Sequence, residues 1–250
     1  AVAAGHLDGV TRIAQVLEVD ALDDAAGVDV ETGDDTYGEG HAGSLPSSAK
    51  GAPPPVTWWA RWAATLRAVS ALRQVLDHAA KAPPSCGRVH VVAIDGRSGS
   101  GKTSLAREVA ASWGAPLVSM DSIYPGWSGL AAATDLLVEH VLRPLSRGEQ
   151  PIVPTWDWLA DRPGPRIPLA VTDRLVVEGC GSTVGEAADF AGTRVWLDGP
   201  ADLRRARAIA RDGAIFEAHW EMWAAQEERV FGADGTRSRA HLVLESVGPT

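Results

Sequence analysis

The sequence predicts an α/β fold, a parallel sheet of about five strands flanked by helices, and three observations predict it. Short apolar, β-branched runs recur at Val89–Asp95, Pro116–Met120, Arg174–Gly179, Arg194–Asp198 and His241–Glu245, and such runs read as strands buried on both faces. Amphipathic stretches lie between them, and strands alternating with helices give a parallel sheet with right-handed crossovers. Finally, Gly96-Arg97-Ser98-Gly99-Ser100-Gly101-Lys102-Thr103 joins the first run to the helix after it and fits GxxxxGK[ST].

Composition narrows the function classes. The 250 residues hold one substantial domain with an appendage, or two small domains. A formal net charge of −9 argues against a general nucleic-acid or membrane-surface binder, since both partners are polyanions. Cys86 and Cys180 stand in no CxxC or zinc spacing, so neither a disulfide framework nor a structural metal is expected, which suits a reducing cytoplasm. No apolar run approaches the roughly eighteen residues of a membrane span, and no signal-sequence pattern opens the chain.

Taken in order, residues 1–55 carry ten acidic residues against two basic ones, Arg12 and Lys50. From Gly27 onward they are mostly small and polar, so they are expected to form a disordered acidic leader to a domain over 56–250. Thr57 is a plausible N-cap, and Trp58, Trp62, Leu66, Val69, Leu72 and Leu76 recur at helical spacing, predicting an amphipathic helix over 57–81 that ends at Pro83-Pro84. The Val89–Asp95 strand leads straight into the glycine-rich loop. Lys102 to Trp113 is the helix behind it, stopped by Gly114.

The second strand ends at Asp121, and a turn at Tyr124-Pro125-Gly126-Trp127 precedes a helix from Leu130 towards Leu142 that Pro144 bends or ends. Pro151 to Arg166 reads as an irregular, aromatic loop of the kind that carries function. The third strand carries Glu178 at its carboxyl end. After the fourth, Pro200 opens a helix with Arg204, Arg205, Arg207 and Arg211, and a further helix over Ile215 to Phe231 precedes the last strand.

The chemistry follows from the loop. Glycines let its backbone curl so that amide N–H groups point at phosphate oxygens, and the following helix presents its positive end to the same anion. Gly96, Ser98, Gly99, Ser100, Gly101, Lys102, Thr103 and Ser104 are therefore the expected nucleotide-binding residues. Lys102 reaches the β/γ-phosphates, and Thr103 offers a hydroxyl to Mg²⁺. Ligands of such sheets bind outside the carboxyl ends of the strands, where Asp121 and Glu178 also fall. Asp121 is placed to accept a proton from an acceptor hydroxyl, or else caps a turn. Glu178 is the expected acidic partner of the metal. Arg204 and Arg207 close over the transferring phosphate, or else form a solvated helix face.

The runs Ile94 to Thr103, Met120-Asp121-Ser122-Ile123-Tyr124 and Val177-Glu178-Gly179 resemble the uridine kinase branch of the P-loop kinases, a branch similar to pantothenate kinase and phosphoribulokinase. The resemblance covers about residues 88–212 and implies a P-loop NTPase fold. It implies transfer of the ATP γ-phosphate to a small-molecule hydroxyl, most simply a nucleoside, with ATP and Mg²⁺ as cofactors. It makes Asp121 the catalytic aspartate, sets Tyr124 near the nucleoside, and places Trp156, Asp157 and Arg162 in the acceptor pocket. Arg204 to Asp212 resembles the start of an arginine-bearing lid. The chain departs from the branch at Trp156, where a tyrosine is usual, at Asp161, where a histidine is usual, and after Asp212, where the lid sequence changes. Those departures leave open a non-nucleoside acceptor, and a non-catalytic ATP-binding regulatory module.

Overall fold

In a computed structural model of the chain, residues 70–170 and 173–246 are described. The expected acidic leader and the first part of the 57–81 helix lie outside the described residues. Helix α1 occupies residues 70–79 and packs Val75 and Ala79 into the core.

The run expected at Val89–Asp95 forms β1 (His90–Asp95), and every residue after His90 in it is buried. It lies between β5 (Arg174–Glu178) and β6 (Thr193–Asp198), with β2 (Leu117–Ser119) and β7 (Leu242–Glu245) at the edges. All four pairings are parallel. Side chains alternate between two cores. Val91, Ala93, Leu175, Val177 and Trp196 point to one face, and Val92, Ile94, Val176, Val195 and Leu197 to the other. Both faces are covered, which is why the strands read as unbroken apolar runs.

On one face lie α1 and α2 (Lys102–Trp113), with Leu105 and Val109 buried against the sheet. On the other lies a helix that starts as α3 (Leu130–Leu137), widens into a π-turn over Val138–Leu142 and closes as α4 (Arg143–Ser146). Pro144 lacks an N–H, and it sits in the first turn of α4 directly after the π-turn, where a missing donor costs least.

One expectation is corrected. The stretch from Pro151 to Arg166 is a hairpin of β3 (Ile152–Asp157) and β4 (Arg162–Pro168), antiparallel with an irregularity between Pro154 and Trp156. Prolines at 163, 165 and 168 hide its period-two pattern, and both strands of a two-stranded ribbon are edges, where proline is tolerated in a sheet. The two expected C-terminal helices are both present as the two arms of α5 (Ala201–Asp234), separated at Gly213, whose φ of 70° and ψ of −156° no other residue adopts readily. A short α6 (Thr236–Arg239) then leads into β7.

Candidate active site

The phosphate loop emerges from the carboxyl end of central β1 and ends in α2. Gly99 has φ 76°, and a Cβ there would run into the carbonyl oxygen of Arg204, so only glycine lets the loop lie against the first turn of α5. Gly96 is pressed in the same way against the Leu197 carbonyl on β6. No side chain caps α2, whose N-cap is Gly101. Its first-turn amides are therefore open to an anion. Ser100 is fully buried and lines the cavity, yet its hydroxyl has no protein partner.

Lys102 is buried, with Nζ donating to the Arg97 carbonyl at 2.9 Å and lying 3.5 Å from Cys180 Sγ. Burial works against its charge, but Cys180, Glu227, Glu178 and Asp95 around it hold its pKa above the ordinary lysine value. An ammonium so placed stays charged for a phosphate.

Acidic groups face it from neighbouring strands. Glu178 is 1% exposed, and its carboxylate accepts the Ser119 hydroxyl at 2.5 Å and the Thr103 hydroxyl at 3.2 Å. Burial and then the charge of Asp121 push its pKa above the usual glutamate value, while Ser119, Lys102 and Thr103 pull it back. Asp121 sits half-buried in the 3₁₀ turn Met120–Ser122 behind β2 and lines the same cavity. Asp95, to which sequence reasoning gave no role, accepts the Gly96 and Gly181 amides with Oδ1 and both the amide and hydroxyl of Thr183 with Oδ2. Burial raises its pKa, and those amides oppose the shift. It ties the root of the phosphate loop to the loop after β5. The signal for it was an acid standing directly before Gly96 at the end of an apolar strand.

The cavity has a volume of about 610 Å³ and takes in the loop from Ser98 to Ser104 together with Asp121, Glu178, Arg207 and Arg211. The lid arginines part company here. Arg204 is buried and donates to the Gly199 carbonyl at 3.1 Å and to the Ser98 carbonyl at 3.1 Å, so it braces the loop from below. Arg207 lines the cavity and reaches Ser246 Oγ at 3.3 Å. Arg211, the last of the lid arginines read from the sequence, forms a two-pronged pair with Asp212 at 2.8 and 2.6 Å. Burial opposes its charge, while Asp212, Asp121 and Glu178 push its pKa above the ordinary arginine value.

The expected acceptor residues are elsewhere. Tyr124 is 2% exposed and spends its hydroxyl on the Cys180 carbonyl at 2.9 Å. Asp157 accepts the Leu159 and Ala160 amides and so turns the hairpin, with exposed Arg162 opposite it. Trp156 holds a buried indole N–H without a partner. None of these four lines the cavity. Instead Trp158 donates its indole N–H to the Asp121 carbonyl at 2.9 Å. Trp127 centres an aromatic cluster, with His219 stacked on it at 4.3 Å and Trp158 and Phe216 at 5.0 and 5.6 Å. Two tryptophans spaced by two residues were visible in the sequence, but which contacted the aspartate was not.

No family model matches the sequence, and no curated protein does. Solved structures similar to the chain include three described as kinases. One, described as a possible uridine kinase from Bacillus stearothermophilus, is 22% identical with a TM-score of 0.48, over 72% of this chain and 98% of its own. A kinase assigned to a fructose transport system in a Silicibacter species is 18% identical with a TM-score of 0.39, over 70% and 98%. Shikimate kinase from Bacteroides thetaiotaomicron is 16% identical with a TM-score of 0.33, over 63% and 86%.

Proposed function

We propose that this chain is an ATP- and Mg²⁺-dependent phosphotransferase that moves the γ-phosphate to a hydroxyl of a small molecule, with a nucleoside as the first acceptor class to test. One observation carries the reading: a phosphate loop with a charged lysine, a hydroxyl–carboxylate pair and a second carboxylate all face one cavity, from three adjacent strands. Thr103 and Glu178 offer only oxygen, the donor set that suits a hard cation which otherwise keeps waters and phosphate oxygens. Bound there, Mg²⁺ would neutralise charge on the β- and γ-phosphates.

The rest of the mechanism is positioning and electrostatics. Lys102 and the loop amides hold the phosphates. Asp121 stands on the cavity wall beside Glu178, oriented through the hydrogen bond from Trp158 to its carbonyl, and takes the proton from the acceptor hydroxyl. Arg211 lines the same cavity, on the arm of α5 before Gly213, and meets the transferring phosphate when Asp212 releases it. The two buried, unpaired cysteines support a cytoplasmic setting, and residues 1–55 are read as an acidic leader to the kinase domain.

A second reading has one observation in its favour. Because Tyr124, Trp156, Asp157 and Arg162 do not line the cavity, a non-nucleoside acceptor such as a sugar or vitamin precursor fits the same chemistry. ADP release measured with ATP, Mg²⁺ and a panel of nucleosides, sugars and pantothenate tests both. Stimulation by one acceptor class identifies it. Nucleotide binding with no stimulated release by any of them favours a regulatory module instead.

A further inference from the structure

Ser98 has both of its peptide groups held by buried, charged side chains, and both come from α5. Its N–H donates to Glu227 Oε1 at 2.7 Å, and its carbonyl accepts from Arg204 Nη1 at 3.1 Å. Glu227 is 1% exposed and Arg204 7%. The two lie on opposite halves of α5, on either side of the break at Gly213. Neighbouring residues extend the contact: Arg97 pairs with Glu228 at 2.6 Å, and Gly99 lies against the Arg204 carbonyl. Three consecutive loop residues are thus fastened to both arms of α5, at points on either side of its break.

Burying a carboxylate is costly unless donors and countercharge meet it, and a buried charge is a poor way to gain stability alone. At Glu227 three donors converge on one oxygen: the Ser98 amide at 2.7 Å, the Trp223 indole N–H at 3.0 Å and the Cys180 thiol at 3.3 Å. The charge of Lys102 is felt at the same place. What such an arrangement secures is orientation. Carboxylate and guanidinium fix the planes of both peptides flanking Ser98, and those planes set how the loop curls towards Lys102. Arg207 and Arg211 ride on the same half of α5 as Arg204. A change of bend at Gly213 is therefore felt at Ser98.

We propose that Glu227 and Arg204 are positioning residues that clamp Ser98, holding the loop in its phosphate-binding curl before nucleotide arrives and coupling it to the arginine-bearing arm. The proposal rests on the kinase reading only in requiring that the loop bind a polyphosphate. Titration calorimetry of the full chain with inorganic tripolyphosphate and with ADP tests it. Glu227→Ala should weaken both by about tenfold, the worth of one charge-assisted hydrogen bond. Glu227→Gln, which keeps an oxygen for the Ser98 amide, should stay within about threefold of wild type, a rescue that separates orientation from charge. Arg204→Lys, whose single ammonium cannot span the Gly199 and Ser98 carbonyls, should also lose about tenfold, and it carries the test if Glu227→Ala fails to fold. In turnover, KM for ATP should rise by the same factor, with kcat within about threefold. A merely structural role predicts lower melting temperatures with wild-type affinity in the folded protein, and that result overturns the clamp. Failure of the wild-type chain to bind either ligand overturns the kinase reading and the clamp with it.

Discussion

Thr103 and Glu178 are joined hydroxyl to carboxylate at 3.2 Å, the last residue of the phosphate loop bound to the last residue of β5. The pair exists because β1 and β5 are neighbours in register, with Ile94 opposite Glu178. It brings a hydroxyl and a carboxylate to the point where the loop presents its lysine.

The first prediction concerns charge at that pair. The Glu178 pKa is raised above 4.5, by burial first and by Asp121 next. A group with a raised folded-state pKa stabilises the fold fully below its unfolded value and loses that contribution as pH rises through the folded value. The nucleotide-free protein should therefore lose stability from about pH 4.5 upward through the raised pKa, and Glu178→Gln should flatten that loss. Melting temperatures of both proteins across that range check it. If Glu178 holds Mg²⁺ as proposed, the same variant should lower kcat at least about a hundredfold, by removing that charge from the metal site.

Asp121→Asn keeps the shape of the proposed base and removes its basicity. We expect kcat to fall about a hundredfold while ATP affinity stays within about twofold. The variant also removes the like charge beside Glu178, so the Glu178 pKa should move down towards its usual value. An unchanged kcat would show that the proton goes elsewhere.

Arg211→Ala and Arg204→Lys should separate in steady-state kinetics. Loss of Arg211 removes positive charge from the cavity wall and should lower kcat by about a hundredfold with little change in KM for ATP. Arg204 holds main-chain carbonyls under the loop, so its variant should raise KM. Equal kcat losses in both would return Arg204 to the transferring phosphate.

Trp158→Phe deletes the hydrogen bond to the Asp121 carbonyl and keeps most of the ring packing against Trp127. About 1 kcal/mol of stability should go with it. Because Asp121 is then less firmly placed, kcat should fall by about fivefold. A melting curve and a kcat measurement on one preparation decide whether the bond orients the aspartate or only seals the aromatic cluster.

Much of this was legible before any coordinates. The five parallel strands could be read because burial on both faces writes β-branched residues without interruption, as in Leu175-Val176-Val177. The phosphate loop could be read because glycines at 96, 99 and 101 take backbone angles other residues avoid, leaving few alternatives at those positions. The hairpin could not, since prolines erased its alternation.

The sequence by itself determined the sheet, the phosphate loop, and the presence of acids at the ends of two neighbouring strands. Only the tertiary structure decided which groups meet. Glu227 reaches Ser98 across 129 residues, and no local pattern encodes a contact that chain folding alone creates. Arg204, Arg207 and Arg211 share one face of α5 by spacing, so periodicity cannot rank them. Their height along the helix does: the lowest lies under the loop against the Ser98 carbonyl, and the highest stands at the cavity beside the break at Gly213.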